Sequence, residues 1–407
     1  MKCYLLEMTV HNPSGSGTTT LRYSSNGYTT KGTDTPAHTH YEARLVQPGL
    51  MRRTMFSSGG TGGATSADYG TIEIANTGDL DYLLDYGFAG WPFVLLVGDS
   101  DAAYSTFAVV QKGTMEQLEV NPTRITVRIR DRTAELDVDV QTTLYKGPQT
   151  NLTTTSTTSL TQNAGSKTLT VGAGLGFVAG QTVVISRHSA PTVGMYGTVT
   201  SYSGTTLVVN VTSSFTGGPY TDWDVAAVDY YLEGTTNDVK DSPKPLLIGL
   251  AWNVTPVLVC PEKLIYQVHE SRLGSDFGVR DQGVLLTYGG SYPTLADLCL
   301  TAPAAGNYMI GYTGGYIRLG SAPQGTVTVS TQPYVATADD AKLGNMLKAL
   351  ALRSGTVVDA DVVAADVTAV NAITLGIQGA WFSDKTSIRA VMAVSYTHLT
   401  LPTILLV

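Results

Sequence analysis

Three arrangements in the sequence bring together residue types able to do chemistry. His38-Thr39-His40, followed by Glu42, would set two imidazoles and a carboxylate on one side of an extended strand, since alternate strand residues face the same way. Such a face can hold zinc. His11, His188 and His269 stand singly, so a polar strand face accounts for the run and no metal site or cofactor is assigned. Carboxylates gather at Asp79, Asp81 and Asp85, and again at Glu135, Asp137 and Asp139. Glycoside hydrolysis needs two carboxyls facing across a cleft. Asp137 and Asp139 instead alternate with Val138 and Val140, the pattern of a half-exposed strand.

The remaining searches for a reactive centre end empty. No GxSxG elbow is present, and Ser57-Ser58-Gly59-Gly60 has no His nearby in sequence. Gly172-Ala173-Gly174-Leu175-Gly176 lacks the GxGxxG spacing, and Gly59 to Gly63 lacks the Lys-Ser/Thr of a P-loop. Cys3, Cys260 and Cys299 lie far apart, without metal or disulfide spacing, and read as buried small hydrophobes. The sequence is read as non-enzymatic. The one basic stripe is Arg124, Arg128, Arg130 and Arg132, with Ile125, Val127 and Ile129 on the opposite face. This stripe is expected to meet acidic neighbours and a partner subunit. No aromatic interleaving suits it to single-stranded nucleic acid, and no specific nucleic-acid binding is expected.

The elements that must carry these residues are mostly strands. Tyr4 to Val10, Thr71 to Ala75, Trp91 to Val97 and Arg124 to Arg130 alternate or run apolar at strand length, and Leu80 to Tyr86 suggests a short helix. Past Gly147-Pro148 the composition changes to a nearly uncharged, Ser/Thr-rich stretch. Within it Lys167 to Val171, Gln181 to Arg187, Gly197 to Tyr202 and Thr206 to Thr212 read as strands of a small, self-contained β module. Helical texture begins only at Thr337, whose pairing with Asp340 predicts a capping box. Leu343, Met346, Leu347 and Leu350 follow at i, i+3, i+4 and i+7, with Gly355 as the C-terminal stop. Val363, Val367 and Val370 predict a second helix, and Ile388, Val391 and Met392 a third beginning near Ser383.

Composition supports that reading. The 407 residues are 43% hydrophobic and only 14% charged, with 43 Gly. A charged fraction well below the roughly 25% of ordinary domains excludes a disordered acidic tail, a coiled coil and a Lys/Glu-rich helical bundle. The net charge of −8 argues against a general nucleic-acid binder. No apolar run approaches a membrane span of roughly 20 residues, and no signal peptide opens the chain, so a protein made in a cytoplasm is expected. The fold class is mainly β with an α/β C-terminal part. Five segments are read: a β-rich domain over 1–147, an inserted small β module over 148–228, the continuation of the β-rich domain over 229–335, a truncated α/β segment over 336–394, and a tail at 395–407.

Several of these stretches carry a family resemblance. Tyr41 to Val46, Ala67 to Ile74, Asp81 to Gly87 and Val127 to Arg132 resemble the opening of tailed-phage baseplate hub or minor tail proteins. Pro243 to Gly249, Asn253 to Val259, Leu264 to His269 and Arg318 to Thr328 resemble the same family further on. In the module, Gly176 to Ser186, Met195 to Tyr202 and Trp223 to Val225 are similar to small β repeats on phage tails and fibres. Ser395 to Val407, SYTHLTLPTILLV, resembles translated sequencing-adapter read-through; it is read as foreign, with the natural chain continuing past Val394.

The resemblance implies a structural virion component, assembled in the bacterial cytoplasm into a ring of identical subunits. It would link the tail tube and distal tail ring to the central spike or fibre. An alternative is an adhesin that binds host surface glycans through the module, with Tyr196, Tyr202, Tyr220 and Trp223 stacking on sugars. The same four residues would otherwise form the module's small core. A tail-tip peptidoglycan hydrolase finds no acid pair or zinc triad to support it.

Overall fold

The computed structural model describes residues 1–13, 15, 17–49, 52–54, 66–68, 70–274, 278–334, 342–373 and 379–392. The chain is mainly β and divides into two compact units, Met1–Val138 with Ser387–Val407, and Asp139–Thr386. Among the described residues no helix is long and apolar enough to cross a membrane.

The strands of the first unit are β1 (Lys2–His11), β2 (Thr18–Ser24), β3 (Tyr28–Thr29), β4 (His40–Ala43), β5 (Leu45–Gln47), β6 (Arg52–Thr54), β7 (Ser66–Asp68), β8 (Thr71–Ala75), β9 (Pro92–Asp99), β10 (Ala108–Val120) and β11 (Arg124–Asp131). All but the β6–β7 pair join one sheet, ordered β3-β4-β2-β1-β9-β10-β11-β8-β5. Its centre buries both faces. Leu6, Met8 and Val10 of β1 pack with Ile72, Ile74, Phe93, Ile125, Val127 and Ile129 on one side. Cys3 and Leu5 pack with Tyr28, Tyr41, Leu96 and Phe107 on the other. Each such side chain contributes about 1.5–3 kcal/mol by leaving water. The expected short helix is a 3₁₀ turn, Asp81–Asp85, with Leu83 buried in the first cluster.

The second unit opens with the module: β12 (Thr153–Ser156), β13 (Leu160–Gln162), β14 (Gly165–Thr170), β15 (Thr182–Arg187), β16 (Ala190–Ser203), β17 (Thr206–Ser214), β18 (Gly217–Tyr220) and β19 (Trp223–Ala227). Six of them form a sheet ordered β12-β19-β15-β16-β17-β14, and β13 pairs with β18. Val183 and Ile185 face the module's own core, beside Val199, Val209, Trp223 and Val225. Val184 points the other way, into a core with Val259, Cys260, Ile265, Leu298, Cys299 and Tyr316. The module is therefore not self-contained. Its strands have two apolar faces, and the rest of the unit covers the second.

That covering structure begins at α1 (Val228–Leu232) and continues through β20 (Leu246–Gly249), β21 (Ala251–Val254), β22 (Val257–Cys260) and β23 (Ile265–Gln267). Then come β24 (Gly278–Asp281), β25 (Val284–Leu285), β26 (Thr287–Ser291), α2 (Leu295–Leu300), β27 (Asn307–Gly311), β28 (Tyr316–Leu319) and β29 (Val327–Thr331). A four-stranded sheet β21-β29-β24-β25 and a five-stranded sheet β22-β23-β28-β27-β26 share one core. Val279, Val327 and Val329 come to it from the first sheet, and Tyr266, Tyr308, Ile310, Ile317 and Leu319 from the second. The turn into β28 requires glycine at 315: its φ is +72°, and a Cβ there would lie 2.1 Å from the His269 carbonyl oxygen.

The expected helices follow as α3 (Leu343–Leu352) and α4 (Ala364–Ile373), then β30 (Gly379–Phe382), which pairs antiparallel with β20. Leu343, Met346 and Leu350 are buried, as the periodicity requires, and Gly355 ends α3 at φ +75°. The Gly344 amide donates to Asn371 Oδ1 of α4 at 2.8 Å. Ile388 to Met392 are helical, so the third helix starts five residues later than expected. Thr337, Asp340 and residues 395–407 lie outside the described residues.

Candidate functional site

Arg124, Arg128 and Arg130 of the stripe lie on β11 with exposed side chains, and Arg132 begins the 3₁₀ turn that follows. The strand sits between β10 and β8, and both neighbours place glutamates beside it. Arg124 pairs with Glu73 of β8, Arg130 with Glu116 of β10, and Arg128 Nη2 donates to Glu119 Oε1 at 2.8 Å. The acidic neighbours of Arg124, Arg128 and Arg130 are thus cross-strand partners in the same sheet. Opposite charges set across neighbouring strands in this way stabilise the sheet. The side chains of Asp131 and Arg132 lie outside the described residues.

The four aromatic residues of the module do not form one platform. Trp223 is 1% exposed and donates its indole N–H to the carbonyl oxygens of Thr158 and Tyr220, at 2.9 and 3.0 Å. No ring face is left for a sugar, which corrects the stacking assignment at this residue. Tyr220 meets Trp223 edge-on, with its centroid 6.1 Å away, and the Arg187 guanidinium lies 4.0 Å from the Tyr220 centroid. Tyr202 is tied down by its hydroxyl, which donates to the Gly172 carbonyl at 2.7 Å and accepts from the Leu175 amide at 3.0 Å. Tyr196 points to the opposite side, its hydroxyl donating to Asp297 Oδ2 of α2 at 3.2 Å.

The other candidate groups are likewise dispersed. His40 begins β4, with Nδ1 2.9 Å from Thr29 Oγ1, but His38 precedes the strand in the left-handed region at φ 47°. The two rings are therefore not alternate residues of one strand, the premise of the metal reading. Among the described residues no three His, Cys, Asp or Glu side chains come together at metal-binding spacing. Asp79 takes a forked pair of hydrogen bonds from Arg44, which holds its carboxyl well below the usual range. Asp137 pairs with Arg389 at 3.0 Å. Residues 57–60 lie outside the described residues.

Sequence reading missed a cluster of buried titratable groups in the second unit. Arg318 of β28 is only 5% exposed. Its Nη1 donates to the Leu298 carbonyl oxygen near the C-terminal end of α2 at 2.6 Å, and its Nε has no partner. Lys263 lies near it, with Nζ 4.7 Å from the Tyr231 centroid, and burial followed by repulsion from Arg318 lowers the ammonium's pKa. Cys260 and Cys299 belong to the same core, where burial raises both thiols, Cys299 to about 12. A thiol so raised stays protonated and is a poor nucleophile. The geometry at Arg318 is that of an arginine clamping a helix end.

Nearby, His269 Nδ1 accepts from the Leu247 amide at 3.1 Å, leaving the proton on Nε2, which lies 3.1 Å from Ser271 Oγ. Burial depresses this imidazole to about 4. Glu270 takes a 2.7 Å hydrogen bond from Arg353, whose Nε donates to the Val140 carbonyl. These groups join β23, β20 and the end of α3.

Large apolar side chains lie outside the cores on the two edges of the four-stranded sheet. Trp252 of β21 is 67% exposed, and Val284 and Leu285 of β25 are 68% and 61% exposed. Tyr288 of β26, at the edge of the five-stranded sheet, is also exposed.

No protein-family model matches the chain, and no curated protein matches it. Among solved structures the chain is similar to one described as "Virion of native gene transfer agent (GTA) particle", at 12% identity, covering 59% of this chain and 80% of that one. The TM-score is 0.21, a likeness too slight to carry an argument about fold or role.

Proposed function

We propose that the chain is a non-enzymatic structural subunit of a tailed-phage particle. In this reading it is a baseplate hub protein that joins the tail tube to the central spike or fibre and meets identical copies and other tail proteins. The observation that carries this reading is how the surface is made. The charged stripe on β11 is neutralised within its own sheet, while Trp252, Val284, Leu285 and Tyr288 stand exposed on sheet edges. Large apolar and aromatic side chains exposed on a surface are the chemistry of protein–protein contact. The sequence resemblance supplies the particle.

Immunogold electron microscopy of source particles, with antibody raised against residues 1–140, tests the placement. Label confined to the tail end where tube meets spike is expected. Label on outlying fibres would favour the adhesin. Absence of label from intact and opened particles would remove the virion assignment.

A further inference from the structure

We infer that Lys263 and Arg318 form a binding site for a small oxyanion (phosphate, sulfate or a free carboxylate), held between the ammonium and the open edge of the guanidinium. Arg318 of β28 is 5% exposed, and its Nη1 is committed to the Leu298 carbonyl oxygen. That bond fixes the plane of the guanidinium and leaves Nε buried without a hydrogen-bond partner. Nε belongs to the side-on edge through which an arginine grips two oxygens of one carboxylate or phosphate. A buried donor left unmade costs about 1–3 kcal/mol, and more when the group is charged. A ligand oxygen at this edge offsets that cost.

The start of β23 brings the second cation to the same place. Ile265 is the register partner of Arg318, and the Leu319 amide donates to the Leu264 carbonyl oxygen at 3.1 Å. Lys263 closes the 3₁₀ turn Pro261–Lys263 just ahead of that pairing, and Leu264 at φ 54° redirects the chain into β23. The half-buried ammonium stands 4.7 Å from the Tyr231 centroid, close enough to Arg318 for the two charges to repel. Cys260 and Cys299 act on both cations, and as protonated thiols they bring no charge. Among the described residues neither cation pairs with a carboxylate. Glu262 is exposed and acts on Lys263 more weakly than Arg318 does. Buried charges are normally paired, because removing an ion from water is costly. The rest of this unit follows that rule, with Lys244 on Glu233 and Arg353 on Glu270. Lys263 and Arg318 depart from it together, and one oxyanion between them supplies the missing negative charge.

Calorimetric titration of the full chain with inorganic phosphate, at ionic strength fixed with sodium chloride, tests the site. Saturable binding of one phosphate per chain is expected, with a matching rise in Tm. Lys263→Met and Arg318→Met keep an apolar stem and remove the charge, and thermal unfolding checks that each keeps its fold. Each should weaken phosphate at least about tenfold, as for loss of one hydrogen bond to a charged group. Arg128→Met, which removes an exposed cation of the first unit, should bind as the wild type does. A second readout needs no variant: amine labelling of Lys263, followed by mass spectrometry, should slow as phosphate saturates, because a bound anion favours the ammonium. Acetate acting as well as phosphate would support the site and make its ligand a carboxylate. Preference for phosphate and sulfate would support it as a site for tetrahedral oxyanions. Phosphate acting no better than chloride would overturn the inference, and so would binding that both methionine variants retain or that leaves Lys263 labelling unchanged. None of these results bears on the proposed structural role, which fails instead by missing label on the particle.

Discussion

Arg128 on β11 and Arg318 on β28 are arginines on alternating strands, yet they live in opposite surroundings. Arg128 projects into water, opposite Glu119 on the next strand. Arg318 is enclosed by the core around Cys299 and Tyr292, donates to one backbone carbonyl and, among the described residues, pairs with no carboxylate. The first is a screened cross-strand pair, the second a desolvated cation held by packing. Residue type and strand period are shared, so neither sets the role. What differs is whether a second layer covers the polar face.

The largest effect should come from breaking the covered side. Arg318→Ala leaves a cavity and an unpaired Leu298 carbonyl and should cost about 3–4 kcal/mol in urea unfolding. Arg318→Met, which keeps the stem volume and removes the buried charge, should recover most of that loss. If Arg318→Ala cost no more than Arg128→Ala, the contrast between the strands would collapse.

Acid sharpens the comparison next. His269 is neutral above about pH 6.5 in folded and unfolded chains alike, so it has no effect there. As the pH falls from about 6.5 towards 4, the unfolded chain takes up a proton that the folded chain refuses, because burial depresses the imidazole to about 4. Stability should fall by about 3 kcal/mol across that window and then level off for this group. His269→Gln should flatten that part of the profile. An unchanged profile would show that the imidazole is hydrated in the folded state.

The exposed side should respond weakly. Arg128→Ala should change stability by about 0.5 kcal/mol or less, and added salt should erase most of that. The smallest effect is kinetic: at neutral pH Cys299 and Cys260 should resist iodoacetamide in the folded chain and react only on unfolding, read by mass spectrometry. Rapid labelling of the native protein would mean that this core opens locally.

Much of the fold was legible locally. Ile125, Val127 and Ile129 announced β11 and its buried face, and the spacing of Leu343, Met346 and Leu350 announced α3. The glutamate partners of the stripe were not legible: Glu73 lies 51 residues from Arg124, and only the register of β8 and β10 brings the charges together. Trp223 could be named as core or as sugar platform from sequence, and Thr158 and Tyr220 decided for core.

The clearest division lies at β15 and β28. Val183-Val184-Ile185 and Tyr316-Ile317-Arg318-Leu319 identify themselves as strands, because side-chain alternation and β-branching are properties of adjacent residues. The sequence by itself therefore determined that these two segments are strands, while α1 and α2, ahead of the helical texture expected from Thr337, were not legible in it. It did not determine that Val184 meets a second core or that Arg318 lies beneath α2. Those follow from strand order and layer packing, which join residues far apart in the chain. A local period carries no information about what covers the other face.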